Sequence, residues 1–464
     1  MKETIGETKS LCPICLNVIP AAKVSEDQDV FLEKTCPDHG DFKTLLWRGE
    51  PSYLDWGRGE DAPGADVRQT LTVNNCPNDC GLCPEHAAQT CTVLMEVTGR
   101  CNLNCPVCFA SSSNGGAEFH PDISEIRAMF GAIIDAGGPY PVQLSGGEPT
   151  LRDDLPDIIS YAKKLGFYHI QVNTHGLRLA KDRDYLQDLK DAGADLIYLQ
   201  FDGVTDDVYR KIRGADLFDL KVKTIENCAE AKIGVQLVPT LIPGVNDHQI
   251  GEMIQFAKQR IPVVKGVHFQ PVSYFGRYPK APADEDRITT PDVLRALEAQ
   301  TEGEVRAENF LPRRRQDAHC GFSGFFVLQE DNRLKATTIF KPEKPASADC
   351  NAVSGVGSSM GTPSEHVRKF IDRKSRFIEP LPTLPTNCAC EPQGSLTNIF
   401  ERARVHYLSI SGMPFQDVWT VDLERLQGCC IHVVTPHKRL IPFCAYYLTD
   451  MSGHRLPGKG SAEA

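Results

Sequence analysis

Between residues 92 and 275 the spacing of hydrophobic positions keeps changing period. Strand-length apolar runs stand at "VLMEVT" (93–98), "PVQLS" (141–145), "HIQVNT" (169–174), "LIYLQFD" (196–202), "GVQLVPTL" (234–241) and "GVHFQPVS" (266–273). Between them, "SEIRAMFGAIIDAG", "RDDLPDIISYAKKLG", "DYLQDLKDAG", "DLKVKTIENCAEAKIG" and "DHQIGEMIQFAKQR" place apolar residues every three or four positions. The first opens on Ser124, an N-cap residue type, and several close on glycine, a common left-handed helix stop. Such alternation predicts parallel strands joined by crossover helices, an α/β fold. Six strands predict an open, partial (β/α)6 barrel, whose active site belongs at the C-terminal ends of the strands.

The chain has 464 residues, too many for one average domain. The expected division is a small metal-binding domain at 1–60, an auxiliary iron–sulfur segment at 61–91, the barrel at 92–280, and a substrate-shaping, C-terminal cysteine-rich auxiliary-cluster region at 281–464. The proline-rich "PLPTLPTNCACEP" (380–392) reads as a connector. It leads to "VWTVDLERLQGCCIHVVTPHKRLIPFCAYYL", which reads as a helix and a strand pair. No apolar run is long enough to span a membrane, and "MKETIGETKSLC" lacks a secretion-signal core, so a cytoplasmic location is expected. A net charge of −11 argues against nucleic acid as a partner.

Eighteen cysteines change the picture. In a reducing compartment, clustered cysteines read as metal ligands. They bunch at 12, 15 and 36; at 76, 80, 83 and 91; at 101, 105 and 108; and at 388, 390, 429, 430 and 444. Cys228 sits on an apparent helix face and reads as a small buried hydrophobe. Cys320 and Cys350 stay unassigned.

"GRCNLNCPVCFA" (99–110) spaces Cys101, Cys105 and Cys108 as C-x3-C-x2-C, directly after the first barrel strand. Cubane iron–sulfur clusters usually take four thiolates. Three leave one iron open to a small chelating molecule. "SGGEPTLR" follows the second strand, with Ser145, Gly146, Gly147, Glu148 and Pro149. Paired glycines let a ligand approach the backbone, and the glutamate suits an ammonium group. In this order, on a βα repeat, the motifs resemble the radical S-adenosylmethionine (SAM) superfamily. The resemblance implies that Cys101, Cys105 and Cys108 hold a [4Fe–4S] cluster and are the catalytic centre. It implies that SAM chelates the fourth iron, that Gly146, Gly147 and Glu148 help hold its amino group, and that Val107 lies against adenine. An electron from the cluster then splits SAM into methionine and a 5′-deoxyadenosyl radical. Asn173, His175, Gln200, Asp202, Thr240 and Gln270, at other strand ends, are candidates for ribose, carboxylate or substrate contacts. Asn173 and Asp202 lead, because each has a glycine nearby.

"CPNDCGLCPEH" repeats the same spacing at Cys76, Cys80 and Cys83, upstream of the barrel. Cys91, ahead of His86, can supply a fourth ligand, which predicts a closed auxiliary [4Fe–4S] cluster; a zinc site is the alternative. "CPIC" and "CPDH" offer Cys12, Cys15, Cys36 and His39 around a strand pair. That set resembles a zinc ribbon or a rubredoxin-like site holding one zinc or iron ion. Cys388, Cys390, Cys429, Cys430 and Cys444 predict a further auxiliary cluster. His432 and His437 are further ligand candidates there, and adjacent Cys429 and Cys430 are a geometric weak point.

The whole series of motifs, from "LCPICLNVIP" through "FQPVSYFGR" to "RLQGCCIHVVTPHKRLIPFCAY", is similar to one subgroup of the superfamily. It holds the archaeal tetraether lipid synthases and the radical methylase of dihydropterin. "NTHG" departs from the "NTNG" expected after the third strand. The resemblance implies carbon–carbon bond formation at an unactivated carbon. Coupling of lipid alkyl chains, with peripheral membrane contact, is the first expectation. Cobalamin-independent methylation of a pterin or other small metabolite is the alternative, and a non-enzymatic iron–sulfur electron carrier the class-level one. A reductant such as ferredoxin or flavodoxin is the implied partner. "FSGFFVL", "FERARVHYLSI" and "MPFQDVW" are candidates for an alkyl groove or for ordinary core.

Overall fold

A computed structural model describes residues 1–57, 67, 69–71, 76–112, 119–313, 317–340, 377–378, 402 and 404–455. The N-terminal strands β1 (Lys2–Leu11), β2 (Val18–Glu26), β3 (Asp29–Cys36) and β4 (Gly40–Trp47) form an antiparallel meander. The β2–β3 hairpin is the expected strand pair between the cysteine knuckles.

The six predicted barrel strands are present. They are β5 (Thr92–Thr98), β6 (Val142–Gly146), β7 (Ile170–Thr174), β8 (Leu196–Gln200), β9 (Gly234–Val238), with β10 (Thr240–Leu241) just beyond, and β11 (Val264–Pro271). Neighbours pair in parallel in the order β5-β6-β7-β8-β9-β11. Their faces toward the crossover helices are apolar and fully buried, as in Val142 and Leu144, Ile170 and Val172, and Val235 and Leu237. Parallel strands covered this way read as near-continuous hydrophobic runs, which is why the sequence exposed them. The first crossover helix, Ile123–Asp135, is capped by Asp122 rather than by Ser124. Asp122 accepts from the Ser124 and Glu125 amides, and Glu125 returns a bond to the Asp122 amide, a capping box.

The C-terminal part builds onto both flanks of this sheet. After β12 (Leu311–Pro312), β13 (Phe322–Leu328) and β14 (Leu334–Ala336) comes β15 (Tyr407–Gly412), which pairs in parallel with β11 and antiparallel with β13. At the other flank β16 (Ile431–Val434) pairs in parallel with β5, and β17 (Leu440–Pro442) closes a hairpin with it. The helix and strand pair read from the tail are therefore present, as Leu423–Gln427 and β16–β17. Among the described residues the sheet stays open.

Candidate active site

Cys101, Cys105 and Cys108 lie on the loop leaving β5 and line a cavity of about 1270 Å³ inside the barrel. Arg277, beyond β11, clamps that loop. It exchanges backbone hydrogen bonds with Cys108 in both directions, each 2.9 Å. Its Nε donates to the Cys105 carbonyl at 2.8 Å and its Nη2 to the Ser112 carbonyl at 3.0 Å. Gly276 must be glycine here: its φ is +67°, and a Cβ would sit 2.3 Å from the Phe109 carbonyl oxygen.

Asp202 is fully buried and forms a bidentate pair with Arg213, Nε to Oδ2 at 2.7 Å and Nη2 to Oδ1 at 2.8 Å. It also accepts from the Thr240 amide. Arg213 in turn reaches the Val107 carbonyl at 3.4 Å, the Thr240 hydroxyl at 3.2 Å and the Cys105 thiol. The carboxylate expected at a ribose, carboxylate or substrate contact thus orients a guanidinium against the cysteine loop. Burial raises the Cys105 thiol, with Arg213 acting against that, and pushes Cys101 up to about 12. A metal must displace those protons on binding.

The glycines of the "SGGEP" turn also allow a close approach within the chain itself. A Cβ on Gly146 would lie 2.1 Å from the Thr98 carbonyl oxygen, and one on Gly147 2.2 Å from that of Arg100. The turn is stitched to the start of the cysteine loop by Gly147 N to Thr98 O (2.7 Å) and Glu148 N to Arg100 O (2.8 Å). Glu148 is buried, with Oε1 accepting from the Thr150 amide and the Thr150 and Thr174 hydroxyls, and Oε2 from the His175 amide at 2.9 Å. Its carboxylate ties the β6 and β7 loops together. Pro149 is buried at the start of the short turn that follows, and Ser145, Asn173 and Thr174 line the cavity.

His175, the departure in "NTHG", joins this network. Its Nδ1 accepts from the Leu177 amide, so Nε2 carries the proton and donates to Asn102 Oδ1 at 2.6 Å. Burial lowers its basicity, consistent with a neutral ring. Lys221, buried, donates to the His175 carbonyl at 2.6 Å and braces the same loop. The braces Arg213, Lys221, Gly276 and Arg277 were not singled out from the sequence. For Arg277, "YFGR" was quoted only as wording, and no local pattern marks a side chain that reaches a loop 170 residues away.

The other thiol groups resolve unevenly. Cys12, Cys15, Cys36 and His39 bring their ligand atoms within 4.8 Å of one another, as one metal ion requires. Cys80 and Cys83 are buried. Cys91, expected as their fourth ligand, has its thiol beside that of Cys430, and the two residues also share a backbone hydrogen bond. His86, the other option, shares a hydrogen bond with buried His432, Nε2 to Nε2 at 3.1 Å, the rings edge to face. Cys429 feels Cys444, Cys320 and Cys91, and Cys430 feels Cys91 and Cys320, so these thiols lie in one neighbourhood. Cys320, unassigned from the sequence, accepts from Arg425 Nε at 3.0 Å and so belongs with this tail set. Cys228 is a buried core residue. Cys350, Cys388 and Cys390 lie outside the described residues. His437 is described, on the turn between β16 and β17.

The cavity runs the length of the strands. It is lined at one end by Ser145, Gly146 and His175 and at the other by Pro139, Tyr168 and Leu196. Its wall is rich in neutral polar groups, among them Gln143, Gln171, Tyr198, Gln236, His268 and Gln270.

An open parallel barrel with three loop thiols over such a cavity defines a radical SAM enzyme. The radical SAM superfamily model matches residues 95–257, and the model of the HMPTM N-terminal zinc ribbon domain matches residues 4–48. The 7,8-dihydro-6-hydroxymethylpterin dimethyltransferase of Methanocaldococcus jannaschii is 37% identical over 481 aligned positions, spanning 95% of this chain and 93% of that protein. The chain belongs to that enzyme's family, within the radical SAM superfamily. A probable GTP 3′,8-cyclase of Methanothermobacter marburgensis is 31% identical over 178 residues, 38% of this chain and 56% of that protein. Streptococcus suis SuiB, solved with its precursor peptide SuiA, overlays at a TM-score of 0.38 and 16% identity, covering 47% of this chain and 46% of that one, too distant to bear on the argument. As a radical SAM enzyme the protein uses a [4Fe–4S] cluster and SAM and needs an electron donor. No described helix is long and apolar enough to cross a membrane.

Proposed function

We propose that this enzyme methylates a reduced pterin of the 6-hydroxymethyl-7,8-dihydropterin class. The observation that carries the reading is a cavity walled by neutral amides and hydroxyls in a chain 37% identical, almost end to end, to a methyltransferase named for that substrate. A pterin offers a flat ring with donors and acceptors on its edges, which side-chain amides match in either sense. Alkyl-chain coupling, the first expectation from the sequence, fits less well, because a hydrocarbon would strand those amides without partners. The segments considered for an alkyl groove also divide differently. Phe322, Phe326, Leu408 and Ile410 are core, whereas Ser323, Phe325, Ser409, Ser411, Met413 and Phe415 line the cavity.

In this reading Cys101, Cys105 and Cys108 hold the cluster, which when bound supplies the electron that cleaves SAM. The donor set fits: three thiols on one braced loop with a guanidinium beside Cys105. The backbone of Gly146 and Gly147 and the Ser145 hydroxyl receive the SAM ammonium, since Glu148 is already engaged. Val107 packs on adenine, and Asn173, whose amide meets Gln143 at 3.2 Å, serves the ribose. Cys12, Cys15, Cys36 and His39 hold one zinc ion. Cys76, Cys80 and Cys83 hold an auxiliary [4Fe–4S] cluster, and the tail thiols Cys429, Cys430 and Cys444 another. The electron donor is a ferredoxin or flavodoxin of the cytoplasm, where free thiols survive.

The test is SAM cleavage by the reconstituted enzyme under anaerobic, reducing conditions. The expected result is 5′-deoxyadenosine formation stimulated by the dihydropterin, with a methylated pterin seen by mass once a reduced folate carrying a one-carbon unit is added as carbon donor, and neither product from Cys101→Ala. Stimulation by a membrane-lipid extract with none by the pterin would overturn the reading in favour of chain coupling.

A further inference from the structure

One cation in the cavity wall pairs with no described carboxylate. Among the residues lining the cavity, the charged side chains are Glu148, Arg213 and Arg313, with His175 and His268 as the titratable rings. Glu148 is tied to neutral donors and Arg213 is neutralised by Asp202. Arg313 stands apart. It follows β12, makes no ion pair with any described carboxylate, and its Nε is sealed from solvent without a hydrogen bond.

Its neighbours are dipoles. His268 and Tyr198 both feel its charge. His268 is committed to Ser411 through Nδ1 at 2.8 Å, and Tyr198 bonds Gln270. With no described carboxylate to pair with and an Nε left without a hydrogen bond, the Arg313 side chain gains an interaction when an anion arrives. Its planar fork matches a carboxylate or phosphate through two parallel bonds. The cavity also exceeds the usual size for one small ligand, so SAM leaves room for a second molecule beside this wall.

We propose that Arg313 anchors an anionic group, a phosphate or a carboxylate, on the molecule that shares the cavity with SAM. The proposal rests on the reading of this cavity as the active site. With a pterin as substrate, the anion is either a phosphate ester on the 6-hydroxymethyl arm or the carboxylate of a longer arm at the same ring position. Arg313 then sets which form of the pterin is accepted, as a specificity-determining residue in the cavity wall.

The experiment is anaerobic binding to the reconstituted holoenzyme, wild type, Arg313→Gln and Arg313→Lys, by equilibrium dialysis. The probes are 6-hydroxymethyl-7,8-dihydropterin, its phosphate ester, 7,8-dihydrofolate, and inorganic phosphate alone. The expected result is that wild type binds at least one of the two anionic pterins about 10- to 100-fold more tightly than the neutral one. R313Q loses that advantage, R313K keeps part of it, and neutral-pterin binding is unchanged in both. The anionic pterin that shows the effect identifies the source of the anion. Equal affinities in wild type and R313Q overturn the proposal, as does an equal loss for neutral and anionic pterins, which would mean that Arg313 holds the ring. Iron content is measured alongside, because Arg313 also acts on Cys320; iron lost in R313Q would make Arg313 a support of the thiol set and overturn the proposal. If no pterin binds wild type, the pterin reading fails, and phosphate decides separately: saturable binding lost in R313Q sustains the anchor, and none in wild type overturns it.

Discussion

His268 shows what this cavity does to a titratable group. Burial, with Arg313 adding to it, holds its pKa down at about 3. The unfolded chain takes up that proton near pH 6.5, and the folded chain does so only near its own lower value. Stability from this residue is therefore complete above about pH 6.5 and is lost as pH falls from there toward 3. The stability of wild type is expected to fall with pH more steeply than that of His268→Gln, by about 1.4 kcal/mol per pH unit between pH 6 and pH 5. Urea unfolding of both proteins under anaerobic conditions measures this, and parallel slopes would refute it. Asp202 carries a second expectation at this scale. Asp202→Asn leaves buried Arg213 uncompensated, which costs about 3–5 kcal/mol. Unfolding should show that loss together with weaker SAM binding; a variant as stable as wild type would mean that the thiols, not Asp202, hold Arg213. The sequence marked Asp202 through the nearby glycine but as a candidate for ribose, carboxylate or substrate contacts, not as the partner of an arginine. Its partner stands at the end of the next helix, Asp206–Arg213, where an arginine reads as an ordinary helix-terminal charge.

Elements show the same division between what is local and what is not. The barrel strands were legible because each buries apolar residues on its helix-facing side in strand-length segments, alternating with polar residues toward the cavity, and the glycines that end the crossovers are local punctuation. Helix entry at Asp122 was missed by two residues because Ser124 is also a cap type; the choice turned on Glu125 reaching back to Asp122. The "SGGEP" turn was found and read for a ligand's approach, but the close approach of its glycines to the strand exit at Thr98 and Arg100 was not. Gly147→Ala therefore acts on the cysteine loop. A methyl group 2.2 Å from the Arg100 carbonyl oxygen must push that loop aside. A displacement of that order costs about a hundredfold in rate when it misplaces reacting groups. The expected outcome is a fall of that size in 5′-deoxyadenosine formation, with the metal at Cys12, Cys15, Cys36 and His39 retained. Activity within a fewfold of wild type would show that the loop absorbs the methyl group without moving the thiols.

At the scale of the molecule, the N-terminal ribbon is wired into the tail, and no sequence pattern announces contacts some 400 positions apart. Lys34, buried on β3, donates to the Val418 carbonyl at 2.8 Å; Ser10 donates to the Val421 carbonyl at 2.6 Å; Thr8 donates to Asp422 at 2.6 Å, and Lys23 pairs with the same carboxylate. Asp422 also caps the helix Leu423–Gln427 by accepting from the Glu424 and Arg425 amides. Arg425 of that helix holds Cys320, and Cys429 follows it. The ribbon's strand ends converge on Cys12 and Cys36, so a metal ion there fixes the strands that carry Ser10 and Lys34. Loss of that ion should therefore loosen the tail helix before it loosens the barrel. In Cys36→Ser, the content of ribbon metal is expected to drop by about one equivalent. Amide exchange in Leu423–Gln427 should speed up about tenfold or more, a local loss of about 1.4 kcal/mol, while β6, β7 and β8 keep their protection. Hydrogen-exchange mass spectrometry on wild type and variant reads both regions in one experiment. Unchanged exchange in Leu423–Gln427 would mean that the ribbon is an independent appendage. Equal acceleration in the barrel strands would mean that ribbon and barrel unfold as one unit. Only selective loosening supports a chain of command from the N-terminal metal through Asp422 to the tail thiols.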